Sequence, residues 1–159
     1  MERRRRNDRP RRLFTIDLAN ATLPLVRAIL RDIVSVAREL DERHRRVAPL
    51  LEAQPAEAND PYSEEILDVR QQLESDQRRL KALTAELAEL GVRLSDPLVG
   101  EVEFPARIGD RRGWLSWRLD ESEVDHWRPK RTSARRRLPM AATADDGPTD
   151  FGAAGGASS

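Results

Sequence analysis

The chain has 159 residues, 35% of them charged and 4% aromatic, with no cysteine and as many acidic as basic groups. Without cysteine it can form no disulfide, thiolate zinc site or thiol nucleophile, and no apolar run approaches the roughly 20 residues that span a bilayer. The zero net charge is a cancellation: residues 1–12 carry +5, residues 128–137 carry +6, residues 13–127 carry −8, and Asp145, Asp146 and Asp150 add −3, so an acidic body bears two basic flanks.

Residues 1–12 read as a basic, disordered arm. The arm lacks the apolar stretch of a secretory signal, and a cytoplasmic location is the expectation. The first helix starts near Phe14–Thr15, with the Thr15 hydroxyl as N-cap. Pro24 lacks an N–H, and its ring clashes with the preceding turn, which predicts a short helix before it and a new one starting near it. Beyond it, apolar residues recur on two seven-residue rows. One is Val26, Ile33, Leu40, Val47, and the other is Leu23, Leu30, Ala37, His44. Pro49, Pro55 and Asn59–Asp60–Pro61 mark a connection, with Pro61 suited to a first helical turn. The second helix carries Ile66, Leu73, Leu80, Leu87 on one row and Val69, Asp76, Leu83, Leu90 on the other. Gly91 stands where a left-handed C-cap is needed. A period of 3.5 residues is that of coiled-coil packing, so residues 16–91 are expected to form an antiparallel helical hairpin. Asp76 interrupts the leucine row and calls for exposure or an arginine partner.

After Gly91 the period changes to two. Val102, Phe104 and Ala106 alternate with Glu103 and Pro105. Leu115, Trp117 and Leu119 alternate with Trp114, Ser116 and Arg118. Turn residues separate the two runs, which predicts a small β-hairpin. Asp120–Trp127 is left open between helix and strand. Residues 128–159 read as a basic link followed by a Gly/Ala/Ser-rich disordered tail. The expected fold is therefore mainly α: an antiparallel two-helix coiled-coil hairpin with a small C-terminal β-hairpin appendage and disordered termini. A single domain is expected to span residues 13–127.

Several short pieces occur together and in order: Phe14-Thr15, Ala19-Asn20, Leu23-Pro24 and Val26, then Asp96-Pro97, Gly100, Val102, Phe104-Pro105-Ala106, Gly109, Leu115, Trp117-Arg118, Glu121 and Trp127. With these the chain resembles the bacterial domain-of-unknown-function family numbered 2203, over about residues 13–127. The resemblance implies a coiled-coil-containing helical protein and no activity. The chain departs from that family's usual pattern at Ser116, Asp120 and Arg128, where relatives often carry Cys, Gly and His, so no metal role resting on those side chains carries over.

No phosphate-cradling glycine loop, nucleophile elbow or His-Glu-x-x-His motif occurs, and no cofactor, metal or catalytic residue is expected. Two groups of residues are candidates for binding. Trp117, Arg118, Glu121 and Trp127 can be read as an anion pocket, with the Arg118 fork between indole walls, or as packing plus a surface ion pair. Arg3, Arg4, Arg5, Arg6, Arg135, Arg136 and Arg137 can be read as phosphate contacts or as solvated arms. The leading functional expectation is a non-enzymatic interaction or scaffold protein that self-associates through the hairpin. A nonspecific nucleic-acid-binding accessory is second, and a binder or enzyme for a small anionic ligand is third.

Overall fold

A computed structural model describes residues 12–52, 61–130 and 136–140. Two helices, α1 (Ile16–Glu52) and α2 (Pro61–Glu89), are followed by five strands: β1 (Arg93–Asp96), β2 (Glu101–Ile108), β3 (Arg111–Arg118), β4 (His126–Pro129) and β5 (Leu138–Pro139). The strands form one antiparallel sheet in the order β1-β2-β3-β4-β5. The expectation of a mainly α fold with a β-hairpin appendage is thus corrected. The helical hairpin is present, and it lies on a five-stranded sheet. Only β2 and β3 were legible, because they are eight residues long, whereas β1 and β4 have four residues and β5 has two. Strands that short show no period of two. The sheet continues past Trp127: Trp127 pairs with Leu138, and the Met140 amide donates to the Asp125 carbonyl at 2.8 Å. The termini expected to be disordered otherwise lie outside the described residues.

Helix boundaries follow local chemistry. The Leu18 amide donates to Thr15 Oγ1 at 3.1 Å, the bond of an N-cap. At the other end of the hairpin's path, Gly91 has φ 80°. Its amide donates to the Ala88 carbonyl at 3.0 Å, and the Val92 amide reaches back to the Leu87 carbonyl at 3.0 Å. This pair of bonds is a Schellman motif, and its positive φ favours glycine. The break expected at Pro24 does not occur. Pro24 and Pro49 both lie inside α1. Proline costs a helix one hydrogen bond and a local clash, about 3 kcal/mol. Pro24 is exposed while Leu23 and Val26 beside it are buried, so tertiary packing holds the helix through the defect.

The core lies between the hairpin's first half and one face of the sheet. Ala19, Leu23, Val26, Ile29, Leu30 and Ile33 of α1 and Leu87 of α2 meet Val102, Phe104, Leu115, Trp117 and Trp127 of the sheet. Phe14 closes the end, edge-on to Phe104 at 5.2 Å between ring centroids. At the opposite end of the strands Gly100 has φ 82°, and a Cβ there would sit 2.9 Å from Val34 Cγ2. The turn between β1 and β2 therefore presses directly on α1 at Val34. Beyond Val34 the hairpin runs on without the sheet for about 27 Å on the α1 side, at 1.5 Å per residue. There Val36, Ala37, Val47 and Leu73 are the buried residues, and Asp76 finds its arginine: Arg43 of α1 bridges to it across the hairpin.

Candidate functional site

Strand alternation decides the first candidate. Neighbouring residues on a strand point to opposite faces. Trp117 is fully buried on the helix-facing side, and Trp127 is beside it in the same core. Arg118 therefore points the other way. Its Nε donates to Glu101 Oε2 at 2.8 Å, and that bond, with the nearby acidic charges of Glu101, Glu121 and Asp120, raises its pKa above the usual guanidinium value against an opposing effect of burial. The two indoles and Arg118 do not line one pocket. The cation over Trp117 is Arg27 of α1, 5.4 Å from the ring centroid. Glu121 does meet Arg118, through the Arg118 backbone amide at 2.8 Å, while its own carbonyl accepts from Trp117 Nε1 at 3.2 Å. Glu121 thus links the two faces around the end of β3.

The sheet face turned away from the helices carries a ladder of ion pairs. Arg93, Glu103, Ser116 and His126 stand level with one another across β1 to β4. Glu103 is 1% exposed, although a carboxylate on a sheet's solvent side is ordinarily hydrated. Three contacts explain its burial. Arg128 Nε and Nη2 both reach Glu103 Oε1, at 3.0 and 2.6 Å. Arg93 Nη2 lies 2.6 Å from Glu103 Oε2, a charge contact without an aligned N–H bond. One buried carboxylate thus holds two guanidiniums.

Next to it, Arg137 reaches over from the segment before β5. Its Nε donates to Ser116 Oγ at 2.7 Å, and its Nη2 pairs with Glu121 Oε1. His126 Nδ1 is 2.9 Å from Glu121 Oε2. Of the seven candidate polyanion contacts, then, Arg137 is engaged inside the protein, Arg136 is exposed, and Arg3–Arg6 and Arg135 lie outside the described residues. Ser116 and Arg128 hold Arg137 and Glu103 respectively. Among the described residues no cluster of three acids or histidines is placed to hold a metal ion.

Glu103, Ser116, Arg93 and Arg128 were not among the sequence candidates. Alternation put Glu103 and Ser116 on the solvent side. Nothing local shows that arginines from two other strands, and from a residue 21 positions beyond Ser116, will cover them.

A second feature lies at the far end of the hairpin. A groove of about 450 Å³ runs between α1 and α2, floored by Val47, Leu50 and Val69 and edged by Arg43, Arg46 and Asp68. Leu50 is 44% and Leu67 55% exposed. No described helix is long and apolar enough to cross a membrane.

A helical hairpin on a meandering sheet, with an ion-pair ladder on its open face, defines the class of this domain. The model of the uncharacterized conserved protein family DUF2203 matches residues 12–140, and the chain belongs to that family. That span runs from the first described residue to the last. Comparisons with curated proteins and with solved structures give no match.

Proposed function

We propose that this chain is a non-enzymatic interaction protein that self-associates through the distal half of its hairpin, with the sheet as a rigid base. The observation that carries the reading is the contrast in cover. Among the described residues, the helices past Val34 lie mainly against each other; Leu50 is exposed in the apolar groove between them, and Leu67 is exposed elsewhere on α2. Two helices alone cannot bury the full width of both stripes, and a four-helix arrangement can.

The occupant is a second copy of the chain, on grounds of charge. The distal part of α1 carries Arg43, Arg45 and Arg46, while the facing start of α2 carries Glu64, Glu65 and Asp68. The three arginines pair within the chain with Asp76, Asp41 and Glu42, two of these contacts at half-exposed or exposed acids, whereas none of the three acids of α2 makes an ion pair with another described residue. A two-fold axis across the hairpin tips sets α1 of each chain against α2 of the other, so each basic stretch meets an acidic one. Sedimentation equilibrium over a range of concentrations tests this. The wild-type chain is expected to dimerise reversibly. Leu50→Glu with Leu67→Glu is expected to be monomeric with an unchanged helical circular-dichroism spectrum. A double variant that dimerises like the wild type overturns the reading.

A further inference from the structure

The two ends of the open sheet face differ in how their cations are answered. At one end Arg118, Arg128 and Arg137 each hold a carboxylate. At the other end, Arg107 of β2 and Arg112 of β3 stand directly opposite one another. Like charges set directly across an antiparallel pair destabilise it. Their nearest relief is Asp110, 4.0 Å from Arg107 and fully exposed. Lys130 extends the row, since its amide donates to the Arg112 carbonyl at 3.3 Å. Three cations thus cross β2, β3 and the end of β4 at about 4.8 Å per strand.

The next row on the same face holds a half-exposed aromatic. Trp114 pairs with Pro105, and the Arg93 guanidinium lies over its ring, 4.2 Å from the centroid. Trp114, Pro105, Arg93 and Arg12 line one side of a mainly apolar groove of about 370 Å³, whose other wall is the end of α2 with Val92 and Leu94. Arg12 is the last of the seven arginines in residues 1–12. Lys130 is the last described residue before Arg131 and Arg135. The two basic flanks are far apart in sequence, yet the N-terminal one and the start of the C-terminal one both meet the fold at this end of the sheet, while Arg137 returns to the other end.

We propose that this basic end, formed by Arg12, Arg93, Arg107, Arg112, Trp114 and Lys130, binds single-stranded nucleic acid. The cation row meets phosphates, and a base stacks on Trp114 or on the Arg93 plane above it. A single strand offers an open base face beside each phosphate, which is what an aromatic next to a row of cations engages. A duplex hides its base faces. The site is on the sheet and is independent of the hairpin tip, so the Leu50→Glu, Leu67→Glu chain is expected to bind with the same affinity per chain.

Fluorescence anisotropy of a labelled oligothymidylate, titrated with the full chain at several salt concentrations, tests the proposal. Binding is expected at low salt, with weaker binding of a duplex of equal length. Arg107→Gln with Arg112→Gln is expected to flatten the slope of log affinity against log salt by about 1.4, at roughly 0.7 per phosphate contact on a single strand. Trp114→Leu is expected to weaken binding on the order of 5-fold or more, the loss of one stacked base. Melting curves establish that each variant is folded, and the two sets of substitutions report separately should one fail. No binding by the wild-type chain at low salt overturns the proposal. So does binding that both sets of substitutions leave unchanged, because the contact then belongs to the Arg3–Arg6 arm alone. Equal affinity for single strand and duplex together with a silent Trp114→Leu also overturns it.

Discussion

The two halves of the helical hairpin carry the same seven-residue apolar rows, yet the α1 stripe is covered more deeply in one half than in the other. Near the sheet, Val26, Leu30 and Ile33 are completely buried, because the sheet closes over the stripe that α2 leaves open. Toward the tip, Leu40, Ile66 and Val69 are half-buried, and Leu50 and Leu67 are exposed. A repeat in sequence therefore predicts which residues face inward and not how much cover they receive. Cover depends on what the rest of the chain places against the helix.

The largest expected effects lie at the covered end. Leu30→Ala empties a site inside the core and is expected to cost about 2–5 kcal/mol in urea unfolding. Leu73→Ala, at the uncovered end, is expected to cost clearly less at low protein concentration. Equal losses would erase the contrast. Glu103→Ala strands Arg128, whose side chain is only 15% exposed, and is expected to cost about 3–5 kcal/mol by the same measurement. The comparable change at the tip, Asp76→Ala, frees an Arg43 side chain that is 36% exposed and can turn to water. Its loss is expected near about 1 kcal/mol, since ion pairs that reach solvent contribute little. Thr15→Ala removes the N-cap of α1 and is expected to cost about 1 kcal/mol. The smallest effect belongs to Leu67→Gln, where the side chain is already exposed. Monomer stability is expected to change by less than about 0.5 kcal/mol, while dimerisation weakens.

How far the sequence foretold this follows from the range of each signal. The N-cap at Thr15, the stop at Gly91 and the buried rows between them are local, and each was legible within a few residues. The continuation of α1 through Pro24 was not, because sheet packing overrides a local defect. β2 and β3 were visible as alternation, but β1, β4 and β5 were too short to show it, so the sheet looked like an appendage. Trp117 and Arg118 looked like one site because they are adjacent in sequence. Adjacency on a strand is what separates them. Glu103 and Arg137 were invisible as partners in the ladder, since their burial depends on strands brought together only by folding.

Mixing two charge-reversed chains tests the central claim, that the hairpin tip joins two copies, most directly. In the proposed dimer Arg46 of each chain faces the acidic start of the other chain's α2, where Asp68 lies. Arg46→Glu alone and Asp68→Arg alone each set like charges together and are expected to remain monomeric in sedimentation equilibrium. Mixed in equal amounts, the two variants restore both opposite-charge contacts and are expected to form a heterodimer. A mixture that stays monomeric under conditions where the wild-type chain dimerises would contradict the arrangement, and a wild-type chain that is monomeric at every concentration would contradict self-association itself.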